Sequence, residues 1–307
     1  MIEQRRLVRL GRSTLVVSLP ADWVKKKGLK AGDMLTLVIN DAFIKIVPSG
    51  TPSGSKVVAT IEVKERVEGL YRAIIATYIA GADIIKITFE DGQLLFQIMK
   101  QVKMAMNNLI GLEIVEQNPN EMVLQVFISG AEQSPKELTK RLIGLLTLMI
   151  NQVIRGGGEV EYLEELENEV DKLYRLALRT LNTSPEVNVF MVNLLSFLEM
   201  TSDSLIPLAQ TLDKNNVKEV LDILNIIKET LEFLQKCDEA KKTLGEIDEK
   251  IAIVEMGEEE LERRRLDEKL KYRILLFLHN LKNALLTLHN MEVNEIVKKT
   301  KEKKLIL

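Results

Sequence analysis

The feature that most constrains this chain is a change of hydrophobic period at Ser134-Pro135-Lys136-Glu137. A serine cap, a proline at the first helical position and a glutamate three residues after the serine open a helix, and nearly everything beyond repeats its apolar residues at helical spacing. Before that point the apolar residues come in short runs rich in β-branched side chains. One uniform architecture is excluded, and a multidomain chain is expected. The helical part is predicted at roughly 135–155, 159–182, 185–212, 215–242, 245–256 and 258–298. Its punctuation is Gly156-Gly157-Gly158, Asn182-Thr183-Ser184, Asp213-Lys214-Asn215-Asn216, Gly245 and Gly257. Breaks this short favour antiparallel neighbours in a bundle, placed at 134–300.

The first fifty residues read differently. Residues 14–19, 34–39 and 43–47 are strand-like, and Asn40-Asp41 turns the last hairpin. Pro20-Ala21-Asp22-Trp23-Val24-Lys25-Lys26-Lys27 opens with a proline suited to a first helical position and stops at Gly28, so about two helical turns are expected. A few short strands and one small helix cannot close a hydrophobic core unaided. A second copy is the natural remedy. Trp23, the single tryptophan, is expected in that core. Pro48-Ser49-Gly50-Thr51-Pro52-Ser53-Gly54-Ser55 reads as a linker. Residues 56–130 then follow a β-α-β-α-β-β order, with strands at 57–63, 83–89, 112–117 and 121–128 and helices at 64–80 and 92–107. Asn118-Pro119-Asn120 turns the last pair, and a small α/β layer is expected. Gly69, Gly81, Gly92 and Gly111 have no phosphate-cradling spacing.

Charge separates these regions further. The formal net charge is −3, yet residues 1–50 hold nine basic and four acidic groups, a net of +5 that leaves −8 on the remainder. A compact basic segment on an acidic body is the footprint of a module that touches a polyanion while the rest does something else. Catalysis is not expected. Only His279 and His289 supply imidazole, and no activated nucleophile accompanies the acids. Cys237 is the single cysteine, so no internal disulfide forms. The longest apolar stretches, such as 142–150, fall short of a membrane span, and no export signal is expected at the start of the chain. A cytoplasmic protein without membrane insertion is expected. The basic run 298–304 reads as a helix end fraying into solvent, and Met104 and Met106 as packing residues.

Two acidic pairs stand out. Glu167 and Asp171, and again Glu199 and Asp203, lie four residues apart and so share one face of their helices. Glu167 belongs to an acidic run of the kind usually solvated, whereas Glu199 sits in Asn193-Leu194-Leu195-Ser196-Phe197-Leu198-Glu199-Met200, where a carboxylate needs a partner. Were the two pairs to face one another, a cation would relieve their repulsion.

The stretch Arg6-Leu7-Val8-Arg9-Leu10-Gly11-Arg12-Ser13-Thr14-Leu15-Val16-Val17-Ser18-Leu19-Pro20-Ala21-Asp22-Trp23, followed by Lys27-Gly28-Leu29-Lys30-Ala31-Gly32-Asp33, resembles the SpoVT/AbrB swapped-hairpin DNA-binding module. That resemblance implies an all-β barrel made by two interleaved chains, with Arg5, Arg6, Arg9 and Arg12 as candidate DNA contacts. Residues 134–212 look like a PhoU repeat, the helical bundle of phosphate-uptake regulators, through Phe197-Leu198-Glu199-Met200-Thr201-Ser202-Asp203 and its counterpart at 167–171. This second resemblance implies iron or zinc held by Glu167, Asp171, Glu199 and Asp203. In the following repeat the corresponding position reads His279-Asn280-Leu281-Lys282-Asn283, without the acids. The whole order resembles the archaeal fused AbrB/PhoU regulators, and frequent Lys and Glu suit a thermophile. It implies a homodimeric DNA-binding regulator of phosphate uptake. An alternative is an adaptor that docks on a phosphate ABC transporter or a signalling kinase and uses its first module only to dimerise.

Overall fold

The computed structural model describes residues 4–12, 14–39, 44–49, 56–64, 66–128, 134–155, 160–184, 188–212, 216–236 and 243–299. The Asn40-Asp41 turn, linker residues 50–55, the breaks at 156–158 and 213–215, Cys237 and the tail from 300 lie outside the described residues. Two compact units, Met1–Lys56 and Val57–Leu307, make up the chain.

In the first unit, β1 (Val8–Leu10) pairs antiparallel with β2 (Thr14–Val16) around a turn at Gly11-Arg12. Gly11 has φ +72°, a left-handed conformation that glycine adopts at least cost. After α1 (Ala21–Lys26), β3 (Met34–Ile39) pairs with β4 (Ile44–Ser49). Two details correct the expectation. Pro20 is the residue that caps α1 and not its first helical residue. Pro48 and Ser49, expected in the linker, belong to β4 opposite Leu35 and Met34. This two-stranded sheet leaves Pro48 on an edge, where a missing N–H does little harm.

The second unit opens with a four-stranded sheet. Its strands are β5 (Val58–Val63), β6 (Ile84–Phe89), β7 (Leu112–Asn118) and β8 (Glu121–Val126), in the order β5-β6-β8-β7. Only β5 and β6 run parallel, because α2 (Leu70–Ile79) crosses between them, whereas the short Pro119-Asn120 turn makes β7 and β8 antiparallel. Alternate residues Ile85, Ile87 and Phe89 of β6, with Met122 and Leu124 of β8, join Ile74, Tyr78, Ile98 and Val102 of α2 and α3 (Leu95–Asn108) in one hydrophobic cluster. The helix expected at 64–80 begins only at Leu70.

The bundle follows as α4 (Pro135–Ile154), α5 (Val160–Thr183), α6 (Val189–Ala209), α7 (Asn216–Glu219), α8 (Leu221–Lys236), α9 (Leu244–Arg263) and α10 (Glu268–Lys299). At the start of α4 the Ser134 hydroxyl accepts from Glu137 N–H while the Glu137 carboxylate accepts from Ser134 N–H. The Ser134 N–H and then the Ser134 hydroxyl, both donating to Glu137 Oε2, hold that carboxyl below its ordinary range. The helix expected at 215–242 is divided at Val220 into α7 and α8.

Gly257, expected to end a helix, lies buried inside α9, and the real break falls after Arg263. A Cβ at Gly257 would meet Ile226 Cδ1 at 3.3 Å, so this glycine serves close helix packing. Arg264 secures the break by donating to the Glu219 carbonyl and pairing with Asp222 and Glu260.

By length and composition α6 is apolar enough to cross a membrane. Its Leu194, Leu195, Leu198, Leu205 and Leu208 are buried in the bundle core, which accounts for the composition.

The sheet layer and the bundle share a dense polar joint. Arg179 of α5, only 5% exposed, donates to the carbonyls of Tyr78 (2.8 Å) and Ala82 (2.7 Å) and pairs with Asp83 at 3.1 Å. Its guanidinium carbon lies 5.0 Å from the Tyr78 ring centre, within cation–π range. Burial pushes the Tyr78 hydroxyl up to about 12, against the opposing influence of Arg179. Gly81, with φ +98°, makes the approach possible, since a Cβ there would sit 2.7 Å from Thr183 Cγ2.

Candidate functional site

Two regions carry candidate functional residues. In the first unit no described residue from Gln4 to Ile46 whose burial is defined is buried. Leu7, Val8, Leu10, Met34 and Ile39 are each more than half exposed. In β1 the side chains alternate, so Arg9 points opposite to Val8 and Leu10, and Arg12 occupies the turn. Arg5 and Arg6 precede the strand. All four arginines are exposed. Arg6, Arg9 and Arg12 pair with no described acid, so their charge faces outward. Trp23, expected in the core, is half buried. The core that sequence patterning calls for is not closed within one chain.

The second region lies between α5 and α6, which pack side by side. Glu167, Asp171 and Asp203 each offer a carboxylate oxygen such that the three lie within 4.8 Å of one another. Glu199, one helical turn before Asp203, stands outside this trio but feels its field. Desolvation first, then Asp203 and Asp171, raise the Glu199 carboxyl to about 7. Glu167 also rises to about 7, through desolvation, then Asp171 and Asp203. Asp203 is raised by desolvation and by Asp171 and lowered by its hydrogen bond with Glu167. One proton held by Glu167 and donated to Asp203 satisfies both shifts.

Arg175, a turn beyond Asp171, pairs with that carboxylate and also donates to the Asn108 carbonyl at 3.3 Å. Sequence reasoning missed Arg175, although its spacing of four from Asp171 on one helix marks it as a partner. The donors are all oxygen. Such a set suits a hard cation and offers neither the imidazole nor the thiolate that zinc favours, so of the two expected metals iron fits better.

In the second half of the bundle the corresponding stretch performs packing work. Asn280 is buried and donates to the Met200 carbonyl (3.2 Å) and Ser204 Oγ (3.4 Å), while Lys282 pairs with Glu258. No acidic pair stands there.

These features define a chain with a small, outward-charged β module followed by a mostly helical body. Residues 8–53 match the family model described as antidote-toxin recognition MazE, bacterial antitoxin. The N-terminal module is thus a MazE/AbrB-like domain, and it points to a DNA-binding or antitoxin-type regulator. No curated protein and no solved structure matches the chain.

Proposed function

We propose that this protein is a cytoplasmic, homodimeric, non-enzymatic DNA-binding regulator of phosphate uptake, whose MazE/AbrB-like module grips operator DNA and whose PhoU-like bundle carries the sensing end. The observation that carries this reading is the combination, within one module, of apolar strands left open to solvent and three exposed arginines, Arg6, Arg9 and Arg12, that pair with no described acid. A second copy interleaving its hairpins covers the former and doubles the latter. Arg5, Arg6, Arg9 and Arg12 then contact phosphates, with Lys25, Lys26 and Lys27 adding to the field.

In the body, Glu167, Asp171 and Asp203, with Glu199 adjoining, are the residues that would hold a metal ion, iron in preference to zinc. Such an ion would supply positive charge beyond that of Arg175, the one guanidinium paired with the cluster's Asp171. Arg175 would then yield its hold on Asp171 while keeping its contact with the end of α3, which links the cluster to the sheet layer.

Anisotropy titrations on phosphate-uptake promoter DNA across a salt series test the DNA reading. Binding should weaken steeply with salt, and each of Arg9→Ala and Arg12→Ala, which removes one contact from each copy of the dimer, should lower the log–log slope by about 1.8. Absence of salt-sensitive binding to any promoter refutes it. The charge of −8 outside the first fifty residues favours a second reading, an adaptor for a phosphate transporter or signalling kinase. Deleting residues 1–56 separates the two, because an adaptor keeps its partner and a regulator loses promoter occupancy.

A further inference from the structure

Between α6 and α10 an open cavity of about 390 Å³ lies within the roughly 300–1,000 Å³ range of small-molecule sites. Met200, Pro207, Tyr272 and Leu276 form its apolar walls. Ser204 and Asn280, bonded to each other, form a polar floor with no charge. Two charges complete the lining, Asp203 and Arg273. No salt bridge joins them.

Arg273 gives Nη1 to the Pro207 carbonyl and to Thr211 Oγ1, both neutral acceptors. Among the described residues it has no carboxylate partner, and its Nε and Nη2 donate to none. A guanidinium in that position has donors to spare for a planar anion. Asp203, of opposite charge, precedes Pro207 by about one helical turn, some 6 Å of backbone rise along the axis. Proline inside α6 adds a second acceptor, because Pro207 has no N–H for the Asp203 main-chain carbonyl four residues earlier.

An organic anion alone would meet the carboxylate of Asp203 with Glu199 and Glu167 behind it. An organic cation alone would meet Arg273. Only a molecule carrying both charges around an apolar body matches every wall. We propose that this cavity binds a small zwitterion of the class of free α-amino acids with an aliphatic or aromatic side chain. The ammonium is held by the carboxylate and main-chain carbonyl of Asp203, the carboxylate by Arg273, and the side chain by Met200, Tyr272 and Leu276. This goes beyond the proposed function and needs no ion among the acids.

Calorimetric titration of the full-length, chelator-treated protein tests it, with L-phenylalanine, L-leucine, phenethylamine and 3-phenylpropionate as probes. At least one of the two amino acids should bind saturably, and the single-charge analogues at least tenfold more weakly. Arg273→Gln should lose that binding. Because Arg273 also supports the helix backbone, Leu276→Trp serves as a second variant that fills the cavity, and it should abolish binding with the melting temperature retained. No saturable binding of either amino acid, equal affinity for either analogue, or binding unchanged in a folded Leu276→Trp protein overturns the proposal. Metal content of the same variants, measured before chelator treatment, should equal that of the unaltered protein, so failure here is distinguishable from failure of the metal reading.

Discussion

The N-terminal module and the helical body solve the same problem in opposite ways. Along the bundle, leucines such as Leu142, Leu146, Leu195, Leu198, Leu205 and Leu285 are all fully buried within one chain. Across the module, Leu10, Met34 and Ile39 are 63%, 75% and 68% exposed. Helices of twenty residues or more each present a long apolar stripe that several neighbours can cover, whereas strands of three to six residues leave too little area to cover one another. The comparison teaches that the body closes its core within one chain, whereas the module leaves its apolar strands exposed.

The sharpest way to break this contrast is Leu10→Asp. It puts a charge into the face that the proposed second copy would cover, so sedimentation should show the dimer constant weakened by at least about 100-fold. Helical circular dichroism should be retained. A dimer of unchanged affinity would mean that the exposed strands do not associate. Next in size, Arg179→Met removes the buried cation joining the bundle to the sheet layer and strands the Ala82 carbonyl, leaving the Tyr78 carbonyl with only the Gly81 N–H at 3.0 Å. Denaturant unfolding of the body should lose about 3 kcal/mol. Gly81→Ala at the same joint forces a side chain into left-handed backbone against Thr183, with an expected loss of about 1–2 kcal/mol.

The smallest effect is on pH. Glu167 and Glu199 titrate near 7 when folded against an ordinary value near 4.5, so the folded chain holds their protons more tightly. Their contribution is fully present below pH 4.5 and is lost as pH rises through about 7. The melting temperature of chelator-treated protein should fall between pH 5 and pH 8, and Glu167→Gln with Glu199→Gln should flatten that slope. A bound cation opposes the trend, because its affinity rises as those protons leave.

Much of this was legible from local chemistry. Ser134, Pro135 and Glu137 announce α4 because capping is settled within four residues, and the alternation in β6 and β8 announces the sheet layer. Thr243 and Glu246 form the same reciprocal cap at α9. That signal stands in Thr243-Leu244-Gly245-Glu246, where the glycine inside it also has the look of a helix break. Gly257 misled for a related reason: a glycine that ends a helix and one that lets two helices approach look alike until the neighbour, here Ile226, is known. The acids at 167, 171, 199 and 203 could be paired by spacing within each helix. Their mutual approach across α5 and α6, and the intrusion of Arg175, could not.

By itself the sequence determined where helices start, which strands pair through short turns, that the basic charge gathers in the first fifty residues and that those residues lack a core of their own. Each of these depends on residues within a few positions of one another, or on simple counts. Tertiary structure alone decided that Arg179 locks the sheet layer to the bundle, that three carboxylates share less than 5 Å with an arginine at their side, and that Asp203 and Arg273 share a cavity unpaired. Those outcomes depend on how helices far apart in the chain rotate against each other, and spacing within any one helix leaves that rotation undefined.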